Sequence, residues 1–99
     1  MPPGKSPRSH AISAGAALGA QLRLCRLAAG FTSQPALGAE IGTHETVIAK
    51  AETGDRPPTD EVFRAWMRAC GVKGQLLSAL EGMWMLARTR EDPASVLSH

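Results

Sequence analysis

Along most of the chain, apolar residues recur every three or four positions, with polar and charged residues between them. This spacing is typical of α-helices that bury one face. Breaks that contain glycine and proline divide the pattern into five segments. The pattern predicts five helices, at about residues 16–29, 34–41, 45–52, 60–70 and 74–90. The predicted fold class is therefore all-α.

Residues suited to capping stand at several of the predicted helix starts. Ser33 precedes helix 2, and Pro35 is tolerated in its first turn because the missing N–H would have no helical partner. Thr43 or His44 is expected to cap helix 3. Thr59 caps helix 4, whose acidic first turn complements the positive end of the helix dipole. The caps therefore support the same division into helices.

The strongest pattern in the chain is the spacing of small and apolar residues across helices 2 and 3. Counted from Gln34, positions four, five, eight, nine, fifteen and eighteen are Leu37, Gly38, Ile41, Gly42, Ile48 and Ala51. Two helices cross closely near the fifth position, so only a small residue fits there. The ninth must turn sharply, often at a positive φ that glycine adopts without steric cost. Because the other four would be buried between the helices, the spacing predicts a helix-turn-helix.

Helix 5 carries more apolar residues than one buried stripe requires. These residues are Leu76, Leu77, Leu80, Met83, Trp84, Met85 and Leu86. A helix that is apolar on more than one face usually has a second partner to bury against. Met83, Trp84 and Leu86 are therefore predicted to form a dimer or domain interface.

Composition and charge add few constraints. A chain of 99 residues is long enough for one domain, and the scarcity of aromatic residues agrees with an all-helical fold. The formal net charge of +2 is too small to indicate a nucleic-acid partner by itself. Any DNA affinity must therefore come from where the charges lie.

Other classes of protein are disfavoured by the sequence. No segment approaches the ~20 apolar residues of a transmembrane helix, and the N-terminal residues are too weakly apolar for a secretory signal. A cytoplasmic protein without a membrane partner is therefore expected. No catalytic constellation and no glycine-rich phosphate loop are present, so an enzyme is not expected. Cys25 and Cys70 are predicted to be buried free thiols, with a disulfide or a metal site as the alternative.

The two ends of the chain lack helical periodicity. Residues 1–15, rich in proline, glycine and serine, are predicted to be a flexible arm, and residues 91–99 a disordered tail. The predicted domain is therefore residues 16–90. Lys5 and Arg8 in the arm could follow a phosphate backbone or enter a minor groove, and the alternative is a solvated tail.

Residues 18–71 resemble the lambda-repressor-like, or XRE-type, helix-turn-helix domains found at the N-terminus of bacterial transcriptional regulators. The resemblance is carried by Leu18, Gly19, Ala20, Gln21, Leu22, Arg23, Arg26, Gly30, Ser33, Gln34, Leu37, Ile41, Gly42, Ile48, Lys50, Glu52 and Gly54. Residues 45–58 are also similar to the corresponding segment of a bacterial subgroup of longer regulators. The resemblance implies a five-helix bundle that inserts helix 3 into the major groove of double-stranded DNA and needs no cofactor.

The resemblance also implies roles for individual residues. The base-facing positions of helix 3 are Glu45, Thr46, Ala49 and Lys50. The residues expected to contact backbone phosphates are Gln34, Thr43, His44 and Arg56. Arg26 and Glu52 are expected to form a structural ion pair. Lys50 can donate to guanine O6 and N7 and Glu45 can accept from cytosine N4, whereas Val47 offers bases no hydrogen bond.

These expectations describe a repressor-like transcriptional regulator that binds as a homodimer to a palindromic site, with half-sites about 34 Å apart. It would work in the bacterial cytoplasm, at the nucleoid when bound to DNA. One alternative is a protein-interaction or antitoxin-type module that uses the apolar surface of helix 5 and binds DNA weakly or not at all. Another is that this surface docks a missing C-terminal domain. A steep loss of DNA affinity with rising salt would favour the regulator.

Overall fold

The computed structural model describes residues 13–91 of the chain. Within that range it contains five α-helices and no strand, so the prediction of an all-α, five-helix domain is confirmed. The helices are α1 (Ala14–Ala28), α2 (Gln34–Ile41), α3 (Glu45–Thr53), α4 (Asp60–Ala69) and α5 (Gly74–Glu91).

Helix α1 begins two residues earlier than the sequence pattern predicts. The reason is an N-cap at Ser13, whose hydroxyl oxygen accepts a hydrogen bond from the backbone N–H of Ala16 at 3.0 Å. The last two residues of the predicted arm therefore belong to α1. The rest of that arm, including Lys5 and Arg8, and residues 92–99 of the predicted tail lie outside the described residues.

The core gathers one apolar face from each helix. Helix α1 packs against both α3 and α5, and α2 packs against α3 and α4. The buried apolar residues are Leu18, Leu22, Leu37, Ile48, Ala51, Phe63, Trp66, Met67, Leu80, Trp84 and Ala87. The indole N–H of Trp66 donates to the carbonyl oxygen of Leu22 at 3.3 Å, which ties α4 to α1. This arrangement fixes the position of α3 on the side of the bundle where α1 and α2 support it.

Helices α1 and α3 approach each other unusually closely, and the contact runs through glycines. A Cβ atom on Gly19 would lie 2.4 Å from the carbonyl oxygen of Glu52 and 2.5 Å from that of Ala51. A Cβ atom on Gly15 would lie 2.9 Å from the carbonyl oxygen of Gly54. Since real Cβ atoms essentially never come that close to backbone oxygens, only glycine fits at Gly19 without moving α3.

The predicted interface of Met83, Trp84 and Leu86 needs correction, because Trp84 belongs to the core. Its ring stacks on Phe63, with centroids 5.1 Å apart and planes 11° apart, and its indole N–H donates to the carbonyl oxygen of Pro58 at 2.7 Å. Met83 is half-buried against the core, whereas Leu86 is exposed. Much of the excess apolar surface of α5 is thus covered within the domain, on one side by α1 and on another by Phe63 and Pro58.

The two cysteines are free thiols, as the sequence predicts, but they are half-buried and not buried. Burial raises the pKa of the Cys25 thiol. Burial also raises the pKa of the Cys70 thiol to about 11, a shift that nearby Cys25 increases and Arg26 opposes. Both groups are therefore protonated and poorly nucleophilic at neutral pH. Residues 13–91 contain no cluster of three side chains suited to binding a metal ion, and none of their helices combines the length and apolar character needed to span a membrane.

Candidate nucleic-acid interface

The turn between α2 and α3 has the geometry that the glycine spacing predicts. Gly42 ends α2 in the left-handed conformation, with φ of 75°. A Cβ atom on Gly38 would lie 2.7 Å from the carbonyl oxygen of Thr43, so a small residue is required there as predicted. The close neighbour is the backbone of the turn, and the N–H of Thr43 donates to the carbonyl oxygen of Gly38 at 2.9 Å. The turn therefore holds α3 at a fixed angle to α2.

His44 caps α3, which resolves the choice between Thr43 and His44. Its Nδ1 accepts a hydrogen bond from the backbone N–H of Thr46 at 3.1 Å. A neutral imidazole that accepts at Nδ1 carries its proton on Nε2. This exposed side chain therefore retains one donor nitrogen at the start of α3, while Thr43 is half-buried in the turn.

The face of α3 that points away from the core, which we call the open face, is exposed to solvent. Ile48 and Ala51 are buried beneath it, whereas Glu45, Thr46 and Lys50 are exposed. Ala49 is half-buried between them. Among residues 13–91, none of the three exposed side chains has a hydrogen-bond or ion-pair partner. The carboxylate, hydroxyl and ammonium groups on this face are therefore available to an external ligand.

Behind the open face of α3, Arg26 and Glu52 form a buried ion pair. Arg26 Nε donates to Glu52 Oε2 at 2.6 Å, and Arg26 Nη2 donates to Glu52 Oε1 at 3.1 Å. Arg26 Nη1 also donates to the carbonyl oxygen of Phe31 at 2.8 Å. The two charged side chains are only 5% and 4% exposed. Because it joins α1 to α3, the pair holds the open face of α3 in place on the bundle.

Gln34, expected to contact a phosphate, is attached to this pair. Its amide nitrogen donates to Glu52 Oε1 at 3.0 Å. An amide group has two N–H donors, so one remains for an outside acceptor while the other fixes the orientation of the side chain. The sequence pattern contains no sign of this bond, since Gln34 and Glu52 lie 18 residues apart.

A hollow of about 460 Å³ opens beside the start of α2. It is lined by Arg23, Arg26, Thr32, Ser33, Gln34, Glu52 and Thr53. The Ser33 hydroxyl caps α2 by accepting from the N–H of Ala36 at 3.2 Å, and the positive end of the helix dipole points into this region. Arg23 is exposed at the rim of this hollow, although the resemblance does not include it among the phosphate contacts. The sequence contains a signal for it, because Arg23 is three residues before Arg26 and so lies on a neighbouring part of the same helix surface.

A second hollow, of about 240 Å³, lies between α3 and the loop that follows it. We call it the α3–loop hollow. It is lined by Thr46, Val47, Lys50, Arg56, Pro57, Pro58 and Thr59. The backbone N–H of Arg56 donates to the carbonyl oxygen of Lys50 at 3.2 Å, which folds the loop back against the end of α3. The structure thus brings Arg56 beside Thr46 and Lys50.

Comparison with known proteins adds one finding. A family model described as a helix-turn-helix domain matches residues 17–80, which is more than half of the chain and includes the whole of α2, α3 and α4. No curated protein and no solved structure matches the chain.

Proposed function

Since the chain belongs to the helix-turn-helix domain family, whose members typically bind DNA, we propose that it binds double-stranded DNA sequence-specifically as a repressor-like transcriptional regulator. In this proposal α3 enters the major groove, and the protein acts in the bacterial cytoplasm. The observation that carries the proposal is the open face of α3. Its Thr46 and Lys50 side chains are exposed and without partners among the described residues, while Ile48 and Ala51 anchor the opposite face.

The exposed groups of α3 have complementary partners on base edges. Lys50 donates to guanine O6 and N7, Glu45 accepts from cytosine N4, and Thr46 contacts a base edge. Ala49, which is half-buried, lies where a base could approach the helix closely. These contacts would supply sequence preference, because phosphate contacts alone carry none.

The proposed phosphate contacts surround that face. They come from Gln34, Thr43, His44 and Arg56. The free N–H of Gln34 and the N-terminal N–H groups of α2 suit one phosphate, and the Nε2 donor of His44 suits another. Arg23, at the rim of the hollow beside α2, adds a cation to the first of these positions. In this proposal DNA affinity comes from Arg23, Lys50 and Arg56, which line the two hollows beside α2 and α3, and the net charge of the chain contributes little.

Replacing Lys50 or Thr46 by alanine is expected to relax the sequence preference of the protein. Selection from a pool of random duplexes should enrich a short palindromic site with the unmodified protein. Lys50→Ala should weaken binding to that site by roughly 10–100-fold, the usual worth of a good base contact, and Thr46→Ala should relax preference at a different base pair. Binding is measured by fluorescence anisotropy at two salt concentrations, because phosphate contacts make affinity fall steeply with salt.

Lys73→Ala is the matched control, since Lys73 is also exposed but lies between α4 and α5, away from α3. It should leave the enriched sequence unchanged. The proposal fails if no site is enriched and if the residual binding is the same for all three variants.

We further propose that the protein binds its palindromic site as a homodimer, with half-sites about 34 Å apart. The exposed large hydrophobic side chains of the described residues all lie on two helices that pack together, α1 and α5. They are Leu24, Leu27, Leu76, Met85 and Leu86. The three of these side chains on α5 also favour the second candidate function, a protein-interaction or antitoxin-type module whose partner covers α5.

Leu86→Asp is expected to convert a dimer to a monomer in sedimentation velocity, because it places a charge in an apolar contact. It should also lower affinity for the full palindrome more than for a single half-site. Arg68→Asp, which places the same charge at an exposed position of α4, is the control; it should leave the dimer intact and change affinity for the palindrome and the half-site alike. If the unmodified protein is monomeric both free and on DNA, the dimer is contradicted and the apolar surface is left to a different protein partner.

A further inference from the structure

The α3–loop hollow has apolar walls beside the face proposed to read bases. Val47 and Pro57, both half-buried, and buried Pro58 contribute side chains that have no hydrogen-bonding group. Thr46 and Lys50 stand at the edge that the hollow shares with the open face of α3. A ligand that reaches Lys50 from the major groove therefore meets the hollow as part of the same surface.

The walls of the hollow are held in place from behind. The carbonyl oxygen of Pro58 accepts a hydrogen bond from the indole of Trp84, which is itself buried in the core. The loop is tied to the end of α3 by the bond from the Arg56 N–H to the Lys50 carbonyl oxygen. Two consecutive prolines have fixed φ angles and restrict the loop further. The hollow therefore exists before any ligand binds, which lowers the entropic cost of filling it.

We propose that the α3–loop hollow takes the 5-methyl group of a thymine, together with the deoxyribose beside it, and that Val47 is a residue that selects thymine. This inference rests on the proposed function, since it places the hollow against DNA. In the major groove, thymine is the one base that presents a methyl group. Cytosine carries only a hydrogen at C5, so it would leave the apolar walls of Val47 and the prolines without a methyl group to contact. The volume of about 240 Å³ exceeds that of a methyl group and leaves room for the sugar.

Replacing thymine by uracil tests the proposal, because the exchange removes the methyl group and leaves base pairing unchanged. Each thymine of the enriched site is exchanged in turn, and affinity is measured with the full chain. At one position in each half-site, uracil should weaken binding roughly three- to ten-fold, the effect of one methyl group returned to water. With Val47→Ala, affinity for the thymine site should fall, and thymine and uracil at that position should bind equally.

Val72→Ala is the matched control, because Val72 is also a half-buried valine but lies between α4 and α5. It should keep the full difference between thymine and uracil. At the sensitive position, 5-methylcytosine should bind more tightly than cytosine to the unmodified protein. Thermal melting of both variants shows that they are folded at the temperature of the assay.

The outcomes separate this inference from the proposed function. If a site is enriched but uracil is neutral at every thymine, or the site contains no thymine, DNA binding stands and the role of the hollow is overturned. The role is also overturned if Val47→Ala keeps the same difference between thymine and uracil as the unmodified protein. If no site is enriched at all, the proposed function fails and the inference fails with it.

Discussion

Gly19→Ala is expected to destabilise the domain by about 2–4 kcal/mol, through overpacking of a site that has no room. The new Cβ would lie 2.4 Å and 2.5 Å from the backbone oxygens of Glu52 and Ala51. Backbone atoms of a packed helix do not rotate away as a side chain does, so α1 and α3 must separate. Alanine favours a helix over glycine by about 1 kcal/mol, but this gain is smaller than the cost of parting the helices. Equilibrium unfolding in urea measures the difference.

Gly82→Ala is the matched control for this prediction. Gly82 is exposed within α5, and apart from its own stretch of helix backbone no heavy atom lies within 4 Å of the position that a Cβ would take. Only the helix propensity changes there, so the variant should be more stable by about 0.5–1 kcal/mol. The same substitution is therefore expected to have opposite signs at two helical positions. Equal effects at Gly19 and Gly82 would contradict the close approach of α1 and α3.

Separating α1 from α3 is also expected to disturb the proposed DNA-binding surface. Helix α3 is held on the bundle partly by α1, so a shift at Gly19 moves the open face of α3 relative to the start of α2. Gln34 lies on α2 and Lys50 on α3, and the two are proposed to contact DNA together. A folded Gly19→Ala protein is therefore expected to bind DNA more weakly although no DNA-facing group has changed.

The helices and the turn could be predicted from the sequence because local signals specify them. Ser33 and Thr59 cap the helices as expected, and Gly42 takes the positive φ that the turn requires. The sequence pattern predicts the start of α1 two residues too late, because the Ser13 cap lies inside a segment whose small residues show no helical periodicity. Each of these features depends on residues within a few positions of one another, which is the range over which sequence patterns are informative.

The features that depend on distant residues could not be predicted in the same way. The sequence shows that α5 has more apolar residues than one stripe needs. It does not show whether Trp84 faces outward or packs against Phe63 and donates to the carbonyl oxygen of Pro58. The hydrogen bond from Gln34 to Glu52 joins residues 18 positions apart, and one wall of the α3–loop hollow is held by Trp84, which is 26 positions from Pro58. The roles of Glu45, Thr46, Ala49 and Lys50 toward bases stay predictions, since they concern a molecule outside the chain.

Breaking the buried ion pair is expected to have the largest effect on stability of any single charge removal in the described domain. Arg26→Met leaves the Glu52 carboxylate buried with only the amide of Gln34 beside it, and it removes the donor to the Phe31 carbonyl. An uncompensated buried charge costs about 3–5 kcal/mol. Glu52→Gln should cost a similar amount, because it leaves the Arg26 guanidinium buried without a counter-charge. Urea unfolding measures the loss of stability of each variant. It is done at low temperature so that the destabilised variants start from a folded state.

Arg64→Met supplies the matched control, because Arg64 forms ion pairs with Asp60 and Glu81 on an exposed surface. Water and salt screen that network, so little stability should be lost.

The double variant Arg26→Met, Glu52→Met tests whether the single variants lose stability because each leaves an unpaired buried charge. Removing both charges removes the desolvation cost of the pair, so the double variant should be more stable than either single variant. If its loss equals the sum of the two single losses, the two side chains act independently and the ion pair does not hold α3 to α1. If stability returns while DNA binding does not, the carboxylate of Glu52 is needed to orient Gln34 toward the phosphate.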